Sequence, residues 1–289
     1  MTPFCFKCET SSHERSKFVR FGHYYRTSDS KLVQRFRCKN CSTTFTSDTF
    51  GWNYWRKERR KGALIEKMLV STGSQRRTAK ILGVNRKTVV RHFLRSSLLA
   101  EYELKANNWE RAKAKVIEFD DLETFESSKC KPLSVTLAVE HKTRRILGLE
   151  VSKMPAKGML VKPAKKYGFR KDERAIGRKA LFTSLQTMVE ADAEIRSDSN
   201  PHYPKDVKRY FPKATHKRFE GKRGSLGGQG ELKKVKFDPL FSLNHTCAMF
   251  RANVNRLIRK TWCTTKNADY LRAHLILYAN YHNRELIAS

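Results

Sequence analysis

A group of carboxylates in this sequence has a spacing that suggests chemistry. The stretch VIEFDDLETFE, residues 116–126, places five acidic side chains behind a short apolar run, and RSDSNPHYP carries a further carboxylate, Asp198. Converging carboxylates repel one another and take up protons unless a cation is present. Mg²⁺ prefers a few carboxylates together with waters and phosphate oxygens. The acidic residues therefore predict a Mg²⁺ or Mn²⁺ site, of the kind that supports phosphodiester chemistry.

Four of the seven cysteines form two closely spaced pairs, Cys5 with Cys8 and Cys38 with Cys41. Two such pairs in a reducing compartment are typical of zinc, because four thiolates complete a closed tetrahedral shell. Between the pairs, FVRFGHYYR and LVQRFRC read as β-strands. Residues 1–50 are therefore predicted to form a zinc ribbon with a structural Zn²⁺ ion.

The charge of the chain points to its partner. Lys and Arg number 60 against 28 Asp and Glu, which gives a formal net charge of +32 and a pI near 10.1. This excess favours a polyanion, and nucleic acid is the most plausible one. No apolar run reaches the ~18 residues of a membrane span, and the N-terminus lacks a signal-peptide core. We expect a cytoplasmic, nucleoid-associated protein that binds double-stranded DNA and no membrane.

A helix-turn-helix is predicted within residues 56–100. The stretch GSQRRTAKILGVNRKTVVRHF reads as a helix from Arg76 to Leu82, a turn at Gly83, and a second helix from Arg86 to Phe93. Ala79, Ile81, Leu82, Val84, Val89 and Phe93 would pack this unit. The exposed face of the second helix, where base edges are read, would then carry Asn85, Arg86, Lys87, Thr88, Arg91 and His92.

Residues 113–289 have the element order of a ribonuclease-H-like α/β core. AKVIEFDD is a strand that ends in Asp120 and Asp121, and PLSVTLAVE and RRILGLEV continue it as an antiparallel meander. A helix over 173–189 and a second Asp-bearing strand follow, so that both Asp side chains can meet one metal. Residues 221–236 are a flexible Gly-rich insertion. The segment 153–171 is basic, and it either grips DNA phosphates or is a solvated insertion.

The last motifs lie near the C-terminus. SLNHTCAMFRANVNRLIRKTW predicts a helix that runs through Thr261, with Asn244 and His245 near its start. Several features follow one another along the chain: the two cysteine pairs, the helix-turn-helix, the Asp-bearing core with EFDDLETFE, SDSNPHY and LNHTCAMFR, and the terminal YANYHN. In this order of features the chain resembles bacterial insertion-sequence transposases of the DDE class, in the zinc-ribbon group. The resemblance covers nearly the whole chain.

This resemblance implies a set of residue roles. Asp120 matches the first catalytic Asp, with Asp121 as the alternative register, and Asp198 matches the second. Asn244 matches the third position, which is Glu in most members and Asn in some groups, and Arg251 matches the basic residue seven positions later. Because the Asn side chain is neutral, Glu123 or Glu126 would compensate for the missing charge, or His245 would act as the ligand instead.

The resemblance also implies an activity. The chain would bind the terminal inverted repeats of a mobile element, cleave the strand, and join the 3′ end to target DNA, acting as a homo-oligomer assembled on DNA. Two alternatives remain open from the sequence: a transposase-derived DNA-binding regulator whose chemistry has lapsed, and a metal-dependent nuclease or resolvase that never joins strands.

Overall fold

The computed structural model describes residues 5–8, 17–49, 51, 54, 56–220, 238–258 and 262–287. The Gly-rich insertion predicted at 221–236 lies outside these residues. The protein is mixed α/β, and its chain divides into two compact units. The first unit contains residues 1–67 and 75–95, and the second contains residues 68–74 and 96–289. No helix among the described residues is long and apolar enough to cross a membrane.

The first unit begins with a three-stranded antiparallel sheet. Its strands are β1 (Phe18–Arg26), β2 (Lys31–Cys38) and β3 (Thr44–Thr46), in the order β1-β2-β3. The two longer strands are the ones predicted from their aromatic and aliphatic residues. Phe45 on β3 packs edge-to-face against Phe18, with ring centroids 5.5 Å apart. This small core lies beside the paired cysteines.

Three helices follow: α1 (Gly62–Leu69), α2 (Gln75–Leu82) and α3 (Arg86–Glu110). The turn between α2 and α3 uses Gly83, whose φ of +60° favours glycine. The α2–turn–α3 pattern agrees with the predicted helices, but α3 is 25 residues long and extends well past the predicted end at Phe93. Both α1 and α3 run from the first unit into the second.

Two positions in this region were predicted wrongly. Ile81 was expected to be packed but is 61% exposed. His92 was expected on the exposed face but is buried, and its Nε2 lies 2.7 Å from the Lys57 carbonyl oxygen. The Lys57 carbonyl provides the hydrogen bond that a buried imidazole requires, and the helical spacing of His92 contains no sign of that partner.

The second unit is built on a mixed five-stranded sheet. Its strands are β4 (Ala114–Phe125), β5 (Pro132–Glu140), β6 (Ile146–Lys153), β7 (Val189–Asp198) and β8 (Thr215–Phe219), in the spatial order β6-β5-β4-β7-β8. β4, β5 and β6 are antiparallel neighbours, whereas β4, β7 and β8 run parallel. The predicted meander is therefore confirmed, and β8 is a strand that was not predicted from the sequence.

Helices cover both faces of this sheet. They are α4 (Val161–Ala164), α5 (Arg174–Leu185), α6 (Tyr203–Tyr210), α7 (Phe241–Asn253) and α8 (Ala268–Tyr281). Phe119 on β4 packs against Phe182 of α5, with ring centroids 5.0 Å apart. The neighbouring Glu118 accepts a hydrogen bond from Leu243 N–H of α7. Since successive side chains of a strand point to opposite faces, α5 and α7 lie on opposite sides of β4.

The helices on the sheet are held closely. A Cβ at Gly177 of α5 would lie 2.1 Å from Ser152 Oγ, so a larger residue there would require the Ser152 hydroxyl to move. On α8, Arg272 forms ion pairs with Glu150 of β6 at 2.8 Å and with Glu101 of α3 at 3.0 Å. α8 is thereby tied to the sheet and to the C-terminal half of α3.

The helix that carries Asn244 is shorter than predicted. It was expected to continue through Thr261, but α7 ends at Asn253, and Val254 is extended, with φ −98° and ψ 103°. The Asn253 carbonyl accepts a hydrogen bond from Thr72 N–H at 2.8 Å. Thr72 supplies a donor for one of the orphan carbonyls that every helix end exposes, and this long-range contact is not encoded in helical periodicity.

Candidate functional site

The four N-terminal cysteines converge as predicted. Their Sγ atoms all lie within 4.8 Å of one another, and Cys5 Sγ is 3.6 Å from Cys41 Sγ. A Zn–S bond of about 2.3 Å in a tetrahedral shell places sulfurs about 3.8 Å apart, so the cluster can hold a metal ion and fits structural zinc. Among the described residues, this is the one group of three or more His, Cys, Asp or Glu side chains with such geometry.

Local hydrogen bonds prepare one of these thiols for a cation. The Thr43 hydroxyl lies 3.3 Å from Cys41 Sγ. Interactions with this hydroxyl and with the Thr43 backbone lower the pKa of Cys41 to about 6. Since the thiolate is the form that ligates metal, this environment favours the metal-binding form of Cys41.

In the second unit, four of the five carboxylates in the stretch 116–126 have a basic partner. These pairs are Glu118 with His141 at 2.5 Å, Asp121 with Arg178 at 3.7 Å, Glu123 with Lys157 at 3.0 Å, and Glu126 with Arg170 at 3.2 Å. Within the described part of the chain, Asp120 has no such partner. The acidic stretch of a basic protein is therefore mostly neutralised, and Asp120 is the exception.

Asp120 instead faces a second carboxylate. Phe119 pairs with Ser197 across the parallel strands β4 and β7, so Asp120 and Asp198 are the next residues along these strands. Asp198 is the last residue of β7, but Asp120 does not end its strand as predicted: β4 continues to Phe125, because residues 120–125 pair with β5. Burial raises the pKa of Asp120, and the Asp198 carboxylate raises it further, to about 7. A buried carboxylate beside a like charge is unfavourable unless a proton or a cation is bound.

Two donors orient the Asp120 side chain. Its Oδ1 accepts the Asp121 N–H at 2.7 Å and the Tyr203 hydroxyl at 3.1 Å. Burial and the nearby carboxylates raise the pKa of Tyr203, so its hydroxyl keeps the proton that it donates. Both bonds use the same oxygen, and Oδ2 is the atom left for a cation.

Asp121 has a different environment. It lies on the opposite face of β4, where Thr136 Oγ1 donates to its Oδ1 at 2.5 Å and Arg178 Nη1 lies 3.7 Å from its Oδ2. Arg178 in turn donates to Asp206 of α6 at 2.6 Å. Asp121 therefore belongs to an ion-pair network that joins β4, α5 and α6, which makes Asp120 the better candidate for a metal ligand.

α7 presents Asn244, Cys247 and Arg251 at helical spacings of three and four residues, which places them on one face. Burial raises the pKa of Cys247 to about 12, and the nearby Asp120 carboxylate contributes while Arg251 opposes it. Cys247 on this face therefore lies within electrostatic range of Asp120. The Asn244 amide nitrogen donates to Asp238 Oδ2 at 2.9 Å, which leaves the amide oxygen as an acceptor for another group.

His245, the alternative third ligand, lies elsewhere. Arg144 Nη1 is 3.2 Å from His245 Nδ1. Burial and the Arg144 charge lower the pKa of His245. Its ring thus faces a cation, which is an unfavourable neighbour for a second one. Between the two alternatives, the geometry favours Asn244.

Sequence reasoning missed Glu118, which fixes the position of α7. This side chain is fully buried on the same face of β4 as Asp120. Its Oε1 lies 2.5 Å from His141 Nδ1, and its Oε2 accepts Leu243 N–H at 2.8 Å. The signal was an acidic residue in the middle of an apolar strand. Glu118 holds the first turn of α7, and with it Asn244, against β4.

The predicted DNA-reading residues lie at the start of α3. Asn85 Oδ1 accepts Lys87 N–H at 2.8 Å, so Asn85 caps the helix. Arg86, Lys87 and Arg91 are exposed, and Thr88 is half-buried. These side chains form a basic face on a capped helix, which can contact DNA.

A basic cavity adjoins that face. It has a volume of about 470 Å³ and is lined by Arg56, Lys57, Thr88, Arg91, His92, Leu94 and Arg95. Burial lowers the pKa of Arg56, and the Arg95 and Arg59 charges lower it further against the opposing effect of Glu66. Clustered cations destabilise one another, and a phosphate group would relieve this repulsion.

Comparison with known proteins identifies no relative: no protein-family model and no curated protein matches this chain. The functional assignment therefore depends on the residues and their geometry.

The cysteine cluster predicts a measurable zinc content. Purified protein should contain one zinc per chain by mass spectrometry, because four thiolates satisfy one ion. Cys38→Ser should abolish zinc binding and expose residues 1–50 to proteolysis, since the metal supplies much of the folding energy of so small a module. Cys130→Ser is the matched control and should keep its zinc. Zinc retained by Cys38→Ser would reject the assignment.

The two neighbouring aspartates predict opposite stability effects. The pKa of Asp120 lies near 7 rather than 3.8, so its ionisation destabilises the fold increasingly between about pH 4 and pH 7, and fully above that range. Without added Mg²⁺, Asp120→Asn should raise Tm at pH 8 by at least about 3 °C, because ~1 kcal/mol corresponds to ~2–4 °C. The gain should shrink at pH 5.

Asp121→Asn is the control for this pair. It removes an ion pair with the buried Arg178, so it should lower Tm at pH 8. If Asp120→Asn lowered Tm as much as Asp121→Asn does, the Asp120 carboxylate would stabilise the fold, and its charge would not be unfavourable as we infer.

Proposed function

We propose that this protein is a metal-dependent DNA strand-cleaving and strand-joining enzyme of the insertion-sequence transposase type, with a ribonuclease-H-like core. The observation that carries the proposal is the half-buried Asp120 carboxylate, whose pKa is raised to about 7 beside Asp198. Such a pair on two adjacent strands is typical of a site for divalent cations.

The sheet supports this core assignment. An Asp-bearing strand, an antiparallel meander, a helix and a second Asp-bearing strand parallel to the first follow one another as β4, β5, β6, α5 and β7. This is the element order expected of a ribonuclease-H-like core, with the two Asp-bearing strands adjacent. Helices on both faces are consistent with it.

The residues of this chain have separate roles in the proposed reaction. Asp120 and Asp198 hold Mg²⁺ or Mn²⁺, and Asn244 offers a neutral amide oxygen. Tyr203 orients Asp120 through its hydroxyl. Bound divalent ions stabilise the charge on the attacking and leaving oxygens of a phosphodiester. Water first breaks a P–O3′ bond and frees a 3′-hydroxyl, which then attacks a target phosphodiester and displaces its 3′-oxygen.

DNA is the substrate that the rest of the chain favours. The net charge of +32 suits a polyanion. The exposed start of α3 would read the inverted repeats, and the basic cavity beside it would hold a backbone phosphate. Binding to chromosomal DNA would place the protein at the nucleoid, and a homo-oligomer would bring two element ends together.

The catalytic assignment predicts a pattern of losses. On a duplex that carries the inverted repeats flanking the coding sequence, Asp120→Ala and Asp198→Ala should abolish Mg²⁺-dependent cleavage and joining but keep end binding. Asn244→Ala should lower the cleavage rate at least about 10- to 100-fold, the cost of losing even an outer-shell partner of a metal site. Asn244→Glu should stay active, because it restores a charged ligand.

The same assay includes a control variant and distinguishes the proposed function from the two alternative functions. His245→Ala should cleave at nearly the wild-type rate, and the opposite result for Asn244→Ala and His245→Ala would exchange their roles. Wild type that binds repeats but cleaves nothing in Mg²⁺ or Mn²⁺ would favour the lapsed regulator. Wild type that cleaves but never joins would favour a nuclease or resolvase.

Two arginines on α3 predict different binding effects. Arg86→Ala should reduce preference for the repeat over random DNA by about 1–3 kcal/mol, as expected for a base contact. Arg91 lines the basic cavity, so Arg91→Ala should weaken binding to both DNAs equally and reduce the log–log salt slope by about 0.9. Lys80→Ala, an exposed change on α2, is the control. Equal effects of Arg86→Ala and Arg91→Ala on preference would contradict this division.

A further inference from the structure

The segment Lys153–Lys171, between β6 and α5, has an unusual surface. It contains seven Lys or Arg and no acid. Two of its large apolar side chains are almost fully exposed, Met159 at 96% and Phe169 at 95%. The segment has ordered backbone, with helical turns at Gly158–Leu160, at α4 and at Lys165–Tyr167.

Two of these cations attach the segment to the acidic stretch. Lys157 Nζ lies 3.0 Å from Glu123 Oε1, and Arg170 Nη2 donates to Glu126 Oε2 at 3.2 Å. Glu123 is three residues beyond Asp120 on β4, a distance of about 10 Å along the strand, and its side chain lies on the opposite face, which it shares with Asp121. The segment is therefore attached to the strand that carries Asp120, by acids that sequence reasoning had considered as substitutes for a metal ligand.

A cavity of about 610 Å³ opens within this segment. Tyr167 and Phe169 contribute aromatic rings to it, and Val161, Ala164 and Pro155 contribute apolar walls. Lys131 and Lys166 lie over the Tyr167 ring, at 5.5 Å and 5.0 Å from its centroid.

Three further lysines surround the cavity, Lys153, Lys165 and Lys171. In the described part of the chain, none of the three ammonium groups forms an ion pair. Glu126 and Glu173 also line the cavity, and Glu126 is paired with Arg170. The cavity thus combines aromatic faces with an excess of basic side chains, and both features favour a ligand with a planar ring and a negative charge.

We propose that the Lys153–Lys171 segment binds unpaired nucleotides of single-stranded DNA. A base stacks on Phe169 and Tyr167, and the adjoining phosphates lie near Lys153, Lys165 and Lys171. Paired bases in a duplex have no free ring face, so stacking on a protein aromatic selects unpaired ones. The cavity volume falls in the usual range of small-ligand sites and is ample for one nucleotide.

This inference rests on the proposed function, because strand cleavage creates a free end whose last nucleotides can leave the duplex. The ion pairs with Glu123 and Glu126 would hold that end beside the strand that carries Asp120. An anionic membrane surface is the competing occupant. The only α-helix in the segment, α4, has four residues, which is too short for an amphipathic membrane helix.

The test measures DNA affinity of the full chain by fluorescence anisotropy, with a 20-nucleotide oligo(dT) and a matched duplex, in buffer without added Mg²⁺ or Mn²⁺. Phe169→Ala and Tyr167→Ala should each weaken oligo(dT) binding at least about fivefold, the loss expected for one stacking contact. Duplex affinity should stay within about twofold. Tyr102→Ala removes a ring that is 68% exposed on α3, and it should change neither affinity.

A spectroscopic readout tests stacking directly. A 2-aminopurine within a single strand should lose fluorescence when wild-type protein binds, and this quenching should be absent with Phe169→Ala. Unchanged oligo(dT) affinity and quenching in both aromatic variants would overturn the proposal. So would losses confined to Lys165→Ala and Lys171→Ala, which would show phosphate binding alone.

The remaining outcomes separate this inference from its rival and from the proposed function. Phosphatidylglycerol vesicles that bind wild type but not Phe169→Ala, together with unchanged oligo(dT) binding, would assign the segment to membranes and overturn the proposal. Wild type that fails to cleave element ends, while Phe169→Ala still selectively loses oligo(dT), would reject the transposase function and support the single-strand site.

Discussion

The like-charge pair of Asp120 and Asp198 is the constraint on which the rest of this structure depends. Two carboxylates on adjacent parallel strands repel each other, and burial intensifies the repulsion, so the pKa of Asp120 is raised to about 7. A fold retains such a pair only if the surrounding structure holds it in place. Here the Tyr203 hydroxyl donates a hydrogen bond to one oxygen of Asp120. The Glu118 carboxylate on β4 accepts a hydrogen bond from Leu243 N–H in the first turn of α7.

The other acids of the stretch 116–126 explain why a basic protein concentrates negative charge there. Glu118 holds α7, Asp121 pairs with Arg178 of α5, and Glu123 and Glu126 hold the basic segment that follows β6. The strand therefore attaches helices and a loop to the sheet through charge. Asp120, left without a basic partner in the described residues, is the proposed position for a metal cation.

Local patterns predicted much of the secondary structure. The strand over 132–140 was predicted to the residue, because a run of β-forming residues followed by a polar turn is a local signal. The four cysteines were expected to converge because each closely spaced pair is a local signal for a shared metal ion. The predictions that were wrong concern features that depend on distant contacts. α7 ends where the Thr72 N–H binds its last carbonyl, and His92 is buried against the Lys57 carbonyl. The strand β8 was missed because its short polar sequence THKRF forms a strand only by pairing with β7.

The candidate site shows the same division. The resemblance matched Asp120 to the first catalytic Asp, with Asp121 as the alternative register. In the structure Asp121 pairs with Arg178, whereas Asp120 lies beside Asp198. Glu118 could be seen as an acid within an apolar strand, but its partners His141 and Leu243 lie 23 and 125 residues away. Chemistry that depends on residue type was visible in the sequence, whereas chemistry that depends on which face a residue occupies required the structure.

The most direct measurement is a ¹³C NMR titration of the Asp120 carboxyl carbon, assigned through Asp120→Asn, with and without Mg²⁺. We expect an apparent pKa near 7 without Mg²⁺ and a fall of at least about one unit when Mg²⁺ binds, because a bound cation stabilises the ionised form. A pKa near 4 that does not respond to Mg²⁺ would contradict a metal-binding role for Asp120.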